Sequence, residues 1–545
     1  MARRPLSYKT QTLLNTASMP TNPSTIMTLQ GTSIIGASRG QGSESAGQSS
    51  NPANNEALDP NYIAATDKEL QHAVSLADDA FQTLRQTSGA DKAKLLRTIA
   101  ENIEASIENL VTRMPLETGL PEMRVRGEAG RTCGQLRMFA NLVEDGSWVD
   151  ARIDRAQPDR EPIPKVDTRS MMRPLGPVAV YAASNFPLAF STAGGDTASA
   201  LAAGCPVIVK AHSSHSGTAE IVGLAIQKAV ADCGLPEGVF SLVYGSGRTI
   251  GQALVKHPSI KAVGFTGSYG GGRALMDLAA ARDEPIPVYA EMSAINPVVI
   301  LPEIAAAKGD ALGEGLFGSL TLGVGQFCTN PGLIFIHADS ASHLTGKLVE
   351  LVNASSSAAM LNAGICQAYG SGLDHLKNHS NVELLAAGSC SDAQNQAVPH
   401  VFQTTSSTFL ASNDLTEEVF GPATLIVTYT SDDELAQLFG SLGGQLTASV
   451  HGTDDELSSH SGISALMETC TGRLVFNGFP TGVEVCASMV HGGPFPATSD
   501  GRSTSVGTMA VYRFTRAVCW QDCPDALLPD ELKDANPLGI QRAEV

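Results

Sequence analysis

The most constraining feature of the chain is a series of short apolar segments that alternate with helical stretches from residue 178 onward. Helical stretches of about ten to fifteen residues separate these segments, which is the pattern of consecutive βαβ units. It predicts an α/β fold with a parallel sheet, and such sheets bind ligands at the carboxyl ends of their strands. The apolar segments are 178–184, 207–212, 240–245, 260–268 and 287–293.

The region before residue 150 is predicted to be mainly helical. Thr66 and Glu69 have the spacing of a capping box, and apolar residues then recur on one helical face. A second helix is predicted through Leu96–Leu110 and a third over Met123–Val143. Residues 37–56 are rich in Gly, Ser and Asn, which predicts a loop.

Length and composition restrict the class of protein. A chain of 545 residues is too long for one hydrophobic core, so we expect two or three domains, with a second α/β domain from residue 297. The polar segment 148–172 interrupts the first domain and is expected to protrude as a hairpin. The net charge of −19 and the lack of a Lys/Arg-rich run argue against nucleic-acid binding.

Neither a membrane span nor a zinc site is predicted. The two long uncharged stretches, 174–195 and 315–336, are broken by Gly, Pro, Asn and Ser. The ten cysteines have neither zinc-site nor CxxC spacing, which favours a reducing compartment, and we expect the cytoplasm. Residues 1–26 carry basic residues and no acid, which is typical of a tail, an upstream start or a weak transit peptide.

Cys328 is a candidate nucleophile. It lies between Gly325 and Pro331, in a predicted sharp loop that exposes backbone N–H groups beside the thiol. Such donors lower a thiol pKa and can hold an oxyanion. Taken alone, one cysteine of ten in a turn is more often structural.

Two polar residues that follow apolar strands are candidate partners of a nucleophile. Glu291 ends one such segment, where a dry environment is expected to raise the carboxyl pKa and suit a general base. Asn185 follows another, and its amide can donate to a developing oxyanion. In isolation, a solvated strand-end carboxylate and an ordinary loop asparagine are the simpler interpretations.

Three further strand ends suggest a phosphate or ribose site. Lys210 ends the segment 207–212, although a surface lysine with a buried stem would look the same. The turns around Gly247 and around Gly267 and Ser268 lead into predicted helices, whose N-termini favour phosphate. The first turn reads GxGxxxG, so it departs from the strict dinucleotide fingerprint.

Together these segments resemble the aldehyde dehydrogenase superfamily from about residue 28 onward. The resemblance implies that Cys328 is the nucleophile, Glu291 the base and Asn185 an oxyanion donor. It also implies that Lys210 contacts the adenosine ribose. The motifs that carry it, in chain order, are Ser184-Asn185-Phe186-Pro187, Lys210, Phe265-Thr266-Gly267-Ser268, Glu291, Gly325-Gln326-Phe327-Cys328 and Glu418-Val419-Phe420-Gly421-Pro422.

The resemblance also implies a domain plan and the remaining cofactor contacts. Glu418 and Phe420 would hold the nicotinamide riboside, and the turns at Gly247, Gly267 and Ser268 would adjoin the cofactor. The implied units are an N-terminal extension or loop (1–50), a Rossmann-type cofactor-binding domain (51–147 and 173–296), a catalytic domain (297–505) and a small β oligomerisation segment (148–172 and 506–520). A homodimer or homotetramer is expected.

Departures from the family pattern indicate one branch. The sequence after the predicted base is Met292-Ser293-Ala294, where the family usually has Leu-Gly-Gly. This segment and others resemble the 2,5-dioxovalerate (α-ketoglutaric semialdehyde) dehydrogenases, and also the NADP-dependent fatty aldehyde dehydrogenases of luminous bacteria. The others are 117–121, 130–132, 135–137, 491–498 and 503–508.

The branch bears on substrate and cofactor. A 2,5-dioxovalerate substrate carries a carboxylate, for which Arg131 and Arg137 are the candidate partners, with surface ion pairing as the alternative. A fatty aldehyde would need an apolar funnel instead. Ser213 stands where NAD-preferring members often carry Glu, so NADP is expected to be used at least as well as NAD. A non-catalytic protein that retains the fold, and a thiol esterase without cofactor, remain open alternatives.

Overall fold

The computed structural model describes residues 27–545, so the predictions for residues 1–26 lie outside the described residues. The described chain forms two seven-stranded sheets, one four-stranded sheet and two hairpin-like pairs of strands. A hydrophobic core surrounds each large sheet, and helices cover both. The predicted α/β class is therefore confirmed.

The strands are numbered in chain order. They are β1 (Ile34–Ile35), β2 (Ser38–Arg39), β3 (Ser45–Ser50), β4 (Ala57–Ile63), β5 (Arg152–Asp154), β6 (Thr168–Pro174), β7 (Val178–Tyr181), β8 (Val207–Lys210), β9 (Phe240–Val243), β10 (Ala262–Thr266), β11 (Val288–Glu291), β12 (Pro297–Ile300), β13 (Leu333–His337), β14 (Ala358–Ala359), β15 (Glu383–Ala387), β16 (Gln396–Ala397), β17 (His400–Thr405), β18 (Ala423–Tyr429), β19 (Gln445–His451), β20 (Thr471–Phe476), β21 (Thr515–Gln521) and β22 (Ala543–Glu544).

The α-helices are numbered in the same way. They are α1 (Asp67–Leu84), α2 (Gly89–Ala105), α3 (Ile107–Thr118), α4 (Glu122–Asp145), α5 (Gly195–Ala203), α6 (Ser216–Asp232), α7 (Gln252–Lys256), α8 (Tyr269–Ala280), α9 (Pro302–Thr321), α10 (Ala341–Asn353), α11 (Ala363–Asn378), α12 (Ser406–Ala411), α13 (Asp432–Ser441), α14 (Asp454–Ser459) and α15 (Ser461–Cys470).

The first large sheet has the strand order β11-β10-β7-β8-β9-β1-β2. The five predicted strands are confirmed as β7 to β11, and they pair in parallel. The chain runs outward through β7, β8 and β9 and then returns to the other side of β7. This reversal places a crevice at the carboxyl ends of β7 and β10, where open parallel sheets bind ligands.

Residues 34–50 differ from the predicted extension or loop. β1 pairs with β9 and with β2, so it belongs to the first large sheet, and β3 pairs with β4. These strands are very short or rich in Ser and Gly, so they carry no apolar alternation. Tertiary pairing, which a local pattern cannot reveal, determines their conformation.

The helical region follows the prediction with one break. The capping box of Thr66 and Glu69 is confirmed at the start of α1, and the third predicted helix is α4. The second predicted helix ends at Ser106, and α3 follows it directly. The apolar pattern hides this break because α2 and α3 bury their apolar faces in the same core.

The second large sheet has the strand order β15-β17-β18-β13-β12-β19-β20. The loop from Met292 to Asn296 connects it to the first sheet. The segment predicted to protrude contributes β5 and β6 to the four-stranded sheet, whose order is β21-β6-β5-β22. Within residues 27–545, every helix is too short or too polar to cross a bilayer.

Candidate active site

The site lies at the carboxyl edge of the first sheet, where it meets the second. Asn185 follows β7, Lys210 ends β8 and Glu291 ends β11. Because these strands are parallel, their carboxyl ends share one edge. The Gly267 amide donates to the Glu291 carbonyl oxygen at 3.0 Å, which joins the end of β11 to the turn after β10.

A strained loop positions Cys328. Gly323, Val324 and Gly325 all have positive φ angles, of 57°, 58° and 66°, although a β-branched residue rarely adopts this conformation. A Cβ atom on Gly325 would lie 2.4 Å from the backbone carbon of Gly421, so this position requires glycine. The buried Asn296 amide donates to the Cys328 carbonyl oxygen at 2.9 Å and fixes the loop. The sharp loop predicted from Gly and Pro is thus confirmed.

Cys328, His491 and Glu291 form a connected cluster. The His491 Nε2 atom lies 3.3 Å from the Cys328 Sγ atom and 2.9 Å from the Glu291 Oε1 atom. The Ser505 hydroxyl donates to the other carboxylate oxygen of Glu291 at 2.7 Å. The imidazole therefore lies within proton-transfer distance of both the thiol and the carboxylate.

Sequence reasoning missed the roles of His491 and Ser505. Both residues fall within segments that supported the branch resemblance, but their proximity to Glu291 depends on folding across 200 and 214 residues. The ligand atoms of Glu291, Cys328 and His491 lie within 4.8 Å of one another, so the cluster is also compact enough to hold a metal ion.

The Glu291 carboxyl does not have the raised pKa expected from its position. Burial raises the pKa, but the charge and hydrogen bond of His491 and the hydrogen bonds of Ser505 and Cys328 hold it below its usual value. Desolvation was foreseeable for a strand end in a dry site. The hydrogen bonds that oppose it could not be foreseen, because they come from distant parts of the chain.

The Cys328 thiol has the opposite shift. Burial raises its pKa well above the usual thiol value, and the negative charge of Glu291 raises it further. The resting side chain is therefore a thiol, and a nearby base must remove its proton before it can act as a nucleophile. His491 and Glu291 are the bases within reach.

Asn185 lies against the Cys328 loop. Its amide donates to the Gln326 carbonyl oxygen at 3.0 Å, two residues before the thiol. A carboxamide nitrogen carries two hydrogens, so this bond leaves one of them available to a ligand. The contact supports the placement of Asn185 at the predicted site.

Arg131 lies close to the reacting groups. Its guanidinium stands over the Phe190 ring at 5.1 Å and the Phe186 ring at 5.9 Å. The buried Nη1 atom has no hydrogen-bond partner among the described residues. Burial lowers the pKa of Arg131, while the negative charge of Glu128 opposes this effect. The site therefore holds a desolvated cation with an unused donor.

A second arginine near the site was not predicted. Arg124 stands over the Phe186 ring at 4.6 Å and the Phe327 ring at 5.0 Å, and it pairs with Glu128 at 3.2 Å. Its Nη2 atom is likewise buried without a partner among the described residues. Only its position about two helical turns before Arg131, on the same face of α4, could have suggested it.

The structure does not bring Arg137 to the site. It lies farther along α4, and its two terminal nitrogens contact the two carboxylate oxygens of Glu104 at 2.6 and 2.7 Å. Both side chains are exposed. Arg137 therefore makes the surface ion pair that was the alternative interpretation, and Arg131 alone of the two predicted arginines lies near Cys328.

The predicted cofactor residues lie along the same sheet edge. Burial lowers the pKa of the Lys210 ammonium to about 8. Ser213 is exposed in a short 3₁₀ turn after β8. Gly247 begins a π-helical turn after β9, and Ser268 caps α8 by accepting a hydrogen bond from the Gly271 amide at 3.3 Å.

Glu418 and Phe420 reach the site from the second sheet. They line a small cavity together with Ala294 and Ile295, from the loop that follows Glu291. Burial raises the pKa of Glu418 to about 8, and hydrogen bonds of Ser293 and the Ala294 backbone partly oppose this. The two residues therefore stand next to the Glu291 segment, as a nicotinamide-riboside contact would require.

Comparison with known proteins identifies the family. The model of the aldehyde dehydrogenase family matches residues 40–495. The chain is 49% identical over 518 residues to alpha-ketoglutaric semialdehyde dehydrogenase 2 of Azospirillum brasilense, covering 95% of this chain and 99% of that protein. It is 46% identical over 485 residues to alpha-ketoglutaric semialdehyde dehydrogenase of Acinetobacter baylyi, covering 88% and 91%.

Solved structures share the fold. Betaine aldehyde dehydrogenase of Staphylococcus aureus in complex with NAD+ matches with a TM-score of 0.78 and 20% identity, covering 92% of this chain and 96% of that one. A putative aldehyde dehydrogenase of Burkholderia cenocepacia matches with a TM-score of 0.76 and 21% identity, covering 90% and 99%.

Proposed function

The chain belongs to the aldehyde dehydrogenase family, and we propose that it oxidises 2,5-dioxovalerate to 2-oxoglutarate with NADP or NAD. The observation that carries this choice of substrate is Arg131, a half-buried cation whose buried Nη1 atom is an unused donor near Cys328. The two semialdehyde dehydrogenases at 46–49% identity support it.

The proposed reaction begins with deprotonation of Cys328. The neutral form of His491 takes the thiol proton at Nε2, and the Glu291 carboxylate then stabilises the imidazolium that results. The thiolate attacks the aldehyde carbon and forms a thiohemiacetal. The Asn185 amide and the Cys328 backbone N–H donate to the oxygen as negative charge develops on it.

The residues at the sheet edge fit a nicotinamide dinucleotide. The half-buried Lys210 side chain has no hydrogen-bond or ion-pair partner among the described residues, so its ammonium can take a ribose or phosphate. Glu418 and Phe420 would hold the riboside at the other end. The chemistry that the cofactor supplies when bound is acceptance of a hydride from the Cys328 adduct, which leaves a thioester.

Glu291 is proposed to act again in hydrolysis of the thioester. Its carboxylate is ionised, because its pKa lies below the usual value, and it can accept a proton from a water molecule. The hydrogen bond from Ser505 keeps the carboxylate oriented. Release of the acid product then restores Cys328 as a thiol.

Replacing Arg131 by methionine is expected to impair the reaction of 2,5-dioxovalerate selectively. Loss of a charged hydrogen bond in a desolvated site should lower kcat/KM by about ten- to a hundredfold, mainly through KM. Pentanal has the same chain length and no carboxylate, so its kcat/KM should not fall. The measurement is the initial rate of cofactor reduction with each aldehyde.

Arg137→Met is the matched control for this variant. It removes the same charge from the same helix, but at the exposed pair with Glu104. Its rates should equal those of the unaltered protein. If Arg131→Met lowers the rates with both aldehydes equally, Arg131 supports the fold of the site and does not bind the carboxylate.

Ser213→Glu is expected to shift cofactor preference toward NAD. A carboxylate near the adenosine ribose accepts hydrogen bonds from the 2′-OH and repels a 2′-phosphate. The ratio of kcat/KM for NADP to that for NAD should fall about tenfold or more. An unchanged ratio, or a strong preference of the unaltered protein for NAD, would contradict this placement of the ribose.

The decisive test of the proposed substrate compares 2,5-dioxovalerate with a long-chain aliphatic aldehyde, each with NADP and NAD. The higher kcat/KM is expected with 2,5-dioxovalerate. A preference for the aliphatic aldehyde would favour the fatty aldehyde alternative, whose alkyl chain would need apolar side chains such as those of the cluster near the site. They are Phe186, Phe190, Val483, Val485 and Met489.

A homodimer or homotetramer is also proposed. β21 is one of the two edge strands of the four-stranded sheet, and β20 is an edge strand of the second large sheet. Edge strands present unpaired backbone groups that another chain can complete. This supports assembly through the segment predicted for that role.

A further inference from the structure

A cavity of about 580 Å³ lies apart from the active site. It is lined by the end of α1, the start of α2, strands β6 and β21, and residues between 527 and 538. Cys328, Glu291, Lys210 and the other residues of the proposed reaction do not line it. The proposed reaction therefore gives it no role, although Trp148 and β21, which line it, belong to the segment proposed for assembly.

Lys92 is the most unusual residue of this cavity. It lies in the first turn of α2 and is only 8% exposed. Its Nζ atom stands 4.9 Å from the centre of the Trp148 ring, and among residues 27–545 it has no hydrogen-bond or ion-pair partner. A buried ammonium without an anionic partner is costly, so a ligand that provides one is favoured.

The electrostatic surroundings of Lys92 agree with that expectation. Burial lowers its pKa to about 8; Glu531 opposes this effect, while the positive charge of Arg173 adds to it. Four cationic and two acidic side chains line the cavity, an excess of two positive charges in a chain whose net charge is −19. They are Arg85, Lys92, Arg173, Arg516, Asp530 and Glu531.

The N-terminus of α2 contributes further attraction for an anion. Thr87, Ser88 and Gly89 line the cavity at the start of this 17-residue helix. The first backbone N–H groups of a helix and its dipole favour negative charge. The helix end, the buried lysine and the arginines thus line one cavity.

We propose that this cavity binds a small polyanion, with Lys92 as its principal contact. The excess positive charge calls for a ligand with at least two anionic groups, and the cavity accommodates a molecule of several carbon atoms. Carboxylates and phosphates share the required chemistry. A polycarboxylate and a phosphate compound are therefore tested side by side.

The experiment uses the intrinsic fluorescence of the protein. Trp148 and Trp520 both line the cavity, and they are the two tryptophans of the chain. The full-length protein is titrated with citrate and, separately, with pyrophosphate, at ionic strength held constant with NaCl. A saturable change in fluorescence is expected with at least one of them, and the tighter ligand identifies the preferred chemistry.

Three variants test the assignment to Lys92. Lys92→Met preserves the apolar stem and should weaken binding by about tenfold or more. Arg516→Gln alters an exposed side chain that should not affect folding, and it should weaken binding by a smaller factor. Lys68→Met removes an exposed charge from α1, outside the cavity, and should bind like the unaltered protein.

Two results would overturn the proposal. One is the absence of a saturable response to either anion, or a response that NaCl alone reproduces. The other is equal affinity in the unaltered protein and in Lys92→Met; if that variant does not fold, equal affinity in Arg516→Gln has the same meaning. Since aldehyde oxidation is not the readout, the result is independent of the proposed substrate.

Discussion

Replacing Cys328 by alanine is expected to abolish aldehyde oxidation while leaving the fold and cofactor binding intact. Without the sulfur atom neither the thiohemiacetal nor the thioester can form, and the remaining groups cannot replace a covalent route. We expect kcat to fall by about a thousandfold or more. The measurement is the rate of cofactor reduction by the purified variant, with the fold checked by thermal unfolding.

Cys366→Ala is the matched control for the loss of a thiol. Cys366 lies on α11 and, like Cys328, is partly buried. The variant therefore tests whether the removal of any half-buried cysteine affects turnover. Its rate should be unchanged. Substantial turnover by Cys328→Ala would show that the sulfur is not the nucleophile and would remove the basis of the proposed mechanism.

Replacing His491 by asparagine is expected to give the second largest loss. The imidazole is the group that connects the Cys328 thiol to Glu291, at 3.3 Å and 2.9 Å. Without it, proton removal from a thiol with a raised pKa becomes slow. We expect kcat/KM to fall about a hundredfold or more, the usual contribution of a positioned base.

The pH dependence distinguishes a proton-transfer role of His491 from a structural one. Because burial and Glu291 raise the pKa of Cys328, the thiolate fraction grows only as the pH rises. Activity of the unaltered protein should therefore fall as the pH is lowered. In His491→Asn the loss should be greatest at neutral pH and smaller in alkaline solution, where hydroxide removes the proton.

Alkylation of Cys328 by iodoacetamide gives an independent measurement. It should be slower in His491→Asn at neutral pH, by a factor similar to the loss in kcat/KM. Glu291→Gln serves as the comparison. If Glu291 acts mainly in thioester hydrolysis, this variant should still give a burst of reduced cofactor, followed by slow turnover. If His491→Asn alkylates at the rate of the unaltered protein, His491 does not activate the thiol.

Much of the fold follows from local patterns. The strands β7 to β11 are buried apolar runs separated by helices, and the polar residues at their carboxyl ends lie on one edge because the strands are parallel. Cys328 could be predicted as a nucleophile because a Gly-rich loop precedes it. These features depend on residues close together in sequence, which is why they were predictable.

Other features depend on contacts between distant segments. His491 and Ser505 come from a region without regular secondary structure, so neither apolar periodicity nor strand-end position identifies them. Arg131 and Arg137 lie six positions apart on α4, and sequence alone cannot decide which of them faces the site. The structure separates them, because Arg137 has a carboxylate partner in Glu104 and Arg131 has aromatic neighbours.

The reacting groups are divided between the two large sheets. Glu291 ends the last strand of the first sheet, whereas Cys328 precedes β13 in the second, and His491 belongs to neither. Each sheet has its own core, so each can keep its internal packing when the contact between them loosens. A small separation of the two sheets would break the hydrogen bonds of His491. It would therefore abolish activity while leaving the secondary structure unchanged. Activity therefore depends on the contact between the two sheets, and we expect it to be lost before any measure of secondary structure changes.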